Sequence, residues 1–85
     1  MKRVRLDASH DTLDKVYDAL ERQLGLQRGF GRNLDALWDV LTKDVRGPVE
    51  IVWKDRAALG RDGERLLATL REVAAERKDV RLVLT

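Results

Sequence analysis

The sequence predicts a small α/β domain in which three parallel strands pack against helices in the order β-α-α-β-α-α-β. Three observations carry this. Residues 2–6, 49–53 and 80–84 alternate apolar with polar side chains or are rich in β-branched and aromatic residues, as strands are. Residues 12–24, 33–43 and 63–77 repeat their apolar positions every three or four residues, the period of a helix face. Helical segments between consecutive strands make right-handed crossovers, and therefore parallel pairing, the expected topology.

Each element has its own local cause. In the first strand Val4 and Leu6 face one way and Arg3 and Arg5 the other. The first helix places Leu13, Val16, Tyr17, Leu20 and Leu24 on one face; Asp11 or Thr12 can cap its start, and Gly25 suits the left-handed residue that ends it. Gln27 to Arg32 reads as a loop, because its two glycines disfavour regular structure. Asn33 is an N-cap for a helix running to about residue 43, and Gly47-Pro48 breaks the chain before the second strand. Asp55 opens a short helical turn to Leu59, closed by Gly60. Asp62 caps the last helix, which buries Leu66, Leu67, Leu70, Val73 and Ala74 and leaves Glu72 and Glu76 in water. The expected core is Val16, Leu20, Leu34, Leu37, Leu41, Ile51, Leu70 and Val83.

Composition narrows the functional classes. With 44% hydrophobic and 38% charged residues the chain is globular and not disordered, and 85 residues are expected to form one domain. The absence of cysteine removes disulfides and thiolate zinc sites. No segment approaches the roughly 20 apolar residues of a membrane helix, and the amino-terminal charges precede no signal-peptide core, so a cytoplasmic protein is expected. The net charge of +2 comes from 17 basic and 15 acidic residues interspersed along the chain, which argues against a phosphate-tracking nucleic-acid surface. The Lys2, Arg3 and Arg5 cluster reads as the solvated face of a strand.

The chemistry concentrates in Asn33 to Thr42. At about 100° per residue, Leu34, Leu37 and Leu41 fall in one arc with Val40 on its shoulder, while Asp35, Asp39 and Thr42 occupy the opposite side. Trp38 lies at the seam, able to brace the core and still show a ring edge. Two readings of the aspartates stand side by side. In one, Asp35 favours the positive end of the helix dipole and Asp39 pairs with Lys43; in the other, the two carboxylates meet a cationic partner. By residue type Glu72, beside Arg71, is a plain surface residue, Trp53 a core residue and His10 a loop residue. An acid–base enzyme fits poorly, since the aspartates lie on a convex helix face with no histidine, nucleophile or phosphate-cradling loop beside them.

The block Asn33-Leu34-Asp35-Ala36-Leu37-Trp38-Asp39, read with Phe30-Gly31-Arg32 before it, closely resembles the second helix of the barstar family of ribonuclease inhibitors. The likeness runs through nearly the whole chain, from the amino-terminal strand and a helix ending Gln23-Leu24-Gly25-Leu26 to the Pro48-led strand ending in Trp53, the helix containing Arg71-Glu72 and the closing strand. The resemblance implies a partner-binding surface of Phe30, Gly31, Asn33, Asp35, Trp38, Asp39, Thr42 and Glu72, with no catalytic residue, metal or cofactor. It implies a one-to-one complex with a secreted microbial ribonuclease, formed inside the host that must be protected from it, and a free protein that is a monomer. The mechanism would be charge mimicry, with carboxylates placed where the enzyme expects RNA phosphates. A cationic cleft attracts such a helix and compensates its desolvation with charge-assisted hydrogen bonds; the barnase–barstar pair is itself the reference case for this behaviour. Three positions depart from the family prototype, Gly29, Lys43 and Asp44, and the balanced charge leaves any steering to the local patch. A binding module that kept the scaffold but took a non-ribonuclease partner is the alternative.

Overall fold

Alternation along Lys2–Leu6, Val49–Trp53 and Val80–Leu84 produces three strands, β1, β2 and β3, which pair in that order and all in parallel, as expected. A computed structural model describes residues 1–26 and 30–85, so Gln27 to Gly29, part of the expected loop and including one departure from the prototype, lie outside the described residues. The register aligns Val4, Ile51 and Leu82 across the sheet, and Leu6, Trp53 and Leu84 one step further on. These side chains share one face and pack into the core or against it. The opposite face carries Arg3, Glu50 and Arg81, then Arg5, Val52 and Val83. Arg3 is half exposed and its Nε donates to Glu50 Oε1 at 2.8 Å, which makes the amino-terminal basic cluster the solvated strand face the alternation implies.

Helix α1, Leu13–Leu24, buries Val16, Tyr17, Ala19, Leu20 and Leu24. Thr12 caps it by accepting from the Lys15 N–H, while Asp11 instead pairs with Lys15 Nζ at 2.8 Å. Gly25 ends it in the left-handed region at φ 66°. Near the end of this helix the Gln23 amide accepts from the Arg5 N–H at 2.8 Å and donates to the Arg5 carbonyl at 3.1 Å, so one side chain occupies the free edge of β1 as a neighbouring strand would.

The helix expected over 33–43 is two structures. Helix α2 covers Leu34–Asp39, and Val40–Asp44 continues it as a π turn closed by the Val45 N–H reaching the Val40 carbonyl at 3.1 Å. The buried positions Leu37, Leu41 and Val45 explain the change. A strict four-residue spacing overshoots the helical period by about 40° at each step, and the wider π turn takes up that drift so that all three side chains stay inward.

Beyond β2 the chain makes a 3-10 turn, Arg56–Leu59, and enters α3, Arg61–Glu76. Asp62 does not cap α3: the helix begins two residues earlier than expected, after Gly60 at φ 59°, and Asp62 lies in its first turn. Gly63 is buried there, and a Cβ on it would stand 3.0 Å from the Arg56 carbonyl and 3.1 Å from Leu59 Cβ, so glycine permits the close approach of helix and 3-10 turn.

The core joins sheet and helices through Val4, Leu6, Leu20, Leu37, Ile51, Trp53, Leu66 and Leu70, each at most 2% exposed. Leu34, Leu67 and Ala74 are only partly buried, because they stand on the shoulders of their helices. Val83 is a correction of a different kind: strand alternation places it with Arg81 on the uncovered face of the sheet. Leu37→Ala is expected to cost about 2–5 kcal/mol in denaturant unfolding, whereas Asp39→Ala, at an exposed position, should scarcely move the melting temperature.

Candidate functional site: an acidic helix held at both ends

The sequence dictates how α2 begins. Asn33 Oδ1 accepts from the Ala36 N–H at 2.8 Å and Nδ2 donates to the Gly31 carbonyl at 3.1 Å, so the expected cap also fixes the residue two before it. Arg32 holds that segment to α1. Its guanidinium reaches Asp14 at 2.7 Å, Asp18 at 3.0 Å and Glu21 at 2.9 Å, and lies 5.7 Å from the Tyr17 ring centroid. The Asp14 hydrogen bond, then those of Asp18 and Glu21, raise the Arg32 pKa further, so this cation is fixed. Phe30 meets the Tyr17 ring edge-on at 5.7 Å.

The far end is tied to the exit of α3. Arg77 Nη1 donates to the Leu41 carbonyl at 2.8 Å and also to the Val45 carbonyl, while Nε and Nη2 grip Asp79 at 3.0 and 2.7 Å. The Arg77 hydrogen bond is the main reason the Asp79 pKa lies below its ordinary 3.8. A carboxylate with a depressed folded pKa stabilises the fold above its unfolded pKa, and that contribution disappears as pH falls through the folded value. Asp79 should therefore titrate below 3.8 by NMR, and Asp79→Asn should flatten the loss of stability on acidification below that range.

Between these anchors Asp35 and Asp39 are both exposed, one turn apart. Asp39 Oδ1 lies 3.4 Å from Lys43 Nζ, which also stands 5.9 Å from the Trp38 ring centroid, so the pairing expected of a plain helix surface is present at this aspartate. Asp35 has no ion pair among the described residues. Trp38 is partly buried against the core and partly open. The Thr42 hydroxyl donates back to the Trp38 carbonyl at 2.7 Å, which sets Thr42 partly inward and not fully on the wet face. Glu72 is exposed on α3, which packs beside α2.

Arg32 and Arg77 are the residues that sequence reasoning missed. The signal for Arg32 was legible: Asp14, Asp18 and Glu21 recur on one face of α1 and call for a cation. For Arg77 there was none, because its acceptor carbonyls are 36 and 32 positions away in the chain. Elsewhere His10 is a turn residue whose Nδ1 accepts from the Asp7 N–H at 3.0 Å, and an open depression lined by Asp55, Arg61, Glu64 and Thr85 includes neither aspartate of α2. Among the described residues no acidic or histidine cluster could hold a metal ion, and no helix is long and apolar enough to cross a membrane.

Fold and site together define a class of small parallel α/β proteins that display carboxylates on one braced helix. The chain belongs to the barstar family: the family profile, described as barstar (barnase inhibitor), matches residues 1–85. It is also similar to a Bacillus subtilis (strain 168) protein named "Putative ribonuclease inhibitor YrdF", with 32% identity over 84 residues covering 93% of this chain and 92% of that one.

Proposed function

We propose that this protein is a cytoplasmic inhibitor of a barnase-type microbial ribonuclease, read as one domain across residues 1–85, monomeric when free and forming a one-to-one complex. The observation that carries this reading is the exposure of Asp35 and Asp39 on a helix fixed at both ends, in a chain of the barstar family. A preorganised pair of carboxylates loses little conformational entropy on binding and can replace phosphate oxygens among the cations of an RNA cleft. Trp38 supplies a ring edge and the Phe30–Asn33 segment the rim, with Thr42 and Glu72 at the periphery. The protein acts by occupying the enzyme's cleft and performs no chemistry of its own.

The test is titration of barnase, and of the ribonucleases secreted by the source organism, with the purified protein. Stoichiometric inhibition that weakens with salt is expected. Equal inhibition by the wild type and an Asp35→Ala, Asp39→Ala double variant would sink the phosphate-mimic mechanism. The Lys43–Asp39 contact favours a second reading, a non-ribonuclease partner, because it neutralises part of the acidic face in the free protein. Lys43→Glu separates the two. Against a ribonuclease it should leave inhibition intact or improve it, since it frees Asp39 and adds a like charge; weakened inhibition would mean that the partner reads Lys43 itself.

A further inference from the structure

We propose that Arg77, clamped by Asp79, is a positioning residue that sets the aim of Asp39; the role in binding rests on the ribonuclease reading above. The carbonyls at the end of a helix have no partner within it. At the end of α2 the π turn leaves the Leu41 and Val45 oxygens to be satisfied from outside, and one Arg77 amino group takes both. The rest of the guanidinium fork is occupied by the Asp79 carboxylate, so its orientation is fixed. Burial separates this side chain from ordinary surface arginines: Arg77 is 15% exposed, against 51% for Arg3 and 67% for Arg65.

Gly47 completes the arrangement. A Cβ there would collide with the Asp79 carboxylate and come within 2.9 Å of Arg77 Nη2, so the turn before β2 is shaped around this ion pair. Asp39 is the residue before the π turn, and its backbone conformation passes directly into it. Releasing the carbonyls of Leu41 and Val45 therefore frees the turn that carries Lys43 and directly follows Asp39, while Asn33 and Arg32 still hold the other end.

The experiment compares wild type with Arg77→Met, which keeps the stem but removes the donors, with Arg77→Lys, which keeps the charge but not the fork, and with Gly47→Ala, which displaces the pair from the other side. In the free protein, amide exchange at Val45 and through Val40–Asp44 should accelerate in all three while the α1 amides keep their protection. With barnase, or whichever source ribonuclease the wild type inhibits, the complex should weaken on the order of tenfold in Arg77→Met, and the loss should largely vanish in an Asp39→Ala background. Unchanged exchange at Val45 would overturn the clamp. Additive effects of Arg77→Met and Asp39→Ala would show that Arg77 serves stability alone. If the wild type binds none of these ribonucleases, the binding role falls with the reading it rests on, and the exchange data still decide whether Arg77 fixes the helix.

Discussion

Trp53→Ala should destabilise the protein by about 3–5 kcal/mol, the largest effect expected of a single core truncation. Trp53 ends β2 with its ring fully buried, in register with Leu6 on one side and Leu84 on the other. Its far edge reaches the point where α3 starts: a ring carbon lies 4.0 Å from the place a Gly63 Cβ would take. Removing the indole thus opens a void between sheet, 3-10 turn and helix at once, and backbone held by parallel pairing cannot collapse to fill it. Small domains have total stabilities of about 5–15 kcal/mol, so a loss of this size is a large fraction of the whole. Chemical denaturation with circular dichroism checks it. A change below about 1 kcal/mol would mean that the site relaxes and that Trp53 is not central to the core.

On the proposed function, Asp39→Ala should weaken inhibition of a ribonuclease that the wild type inhibits at least about thirtyfold, with Asp35→Ala next and Glu72→Ala smaller; such hot-spot behaviour has the barnase–barstar pair as its own reference case, so the ranking extends a family pattern. The physical ground for the order is position. Asp39 is the last residue of α2, beside Trp38, where the proposed complex would exclude water, and truncating it would leave the partner's cations unpaired. Glu72 lies on the neighbouring helix, where a rim charge alters association rate and salt dependence more than affinity. Fold stability should not follow the same order, because the Asp39–Lys43 pair is exposed on both sides. Binding constants measured beside melting temperatures distinguish a lost contact from a lost fold. A melting temperature that falls with Asp39→Ala would make the carboxylate structural.

The strands, the Asn33 cap, the Gly25 stop and the exposure of both aspartates were legible because each depends on residues within a turn or two of one another. Alternation and helical period need no distant partner. What escaped was decided elsewhere in the chain. Val83 has the composition of a core residue, but the pleat assigns it to the uncovered face. The π turn answers to the four-residue spacing of Leu37, Leu41 and Val45, which as a bare pattern still reads as α-helix. The start of α3 was misplaced because Asp62 suits a cap by type, while Gly60 sets the boundary by its backbone. Arg77 could not be found at all without knowing which carbonyls the fold brings to it.

The Gln23 amide has a consequence for how this protein behaves in a crowd. By taking both backbone groups of Arg5, it shortens the stretch of β1 edge open to a stray extended chain, a misfolded sister molecule included. At the other edge, β3, Arg81 would set positive charge against positive charge in a stack of like molecules. Polymer growth is thus hindered on one side by a hydrogen-bonded plug and on the other by repulsion.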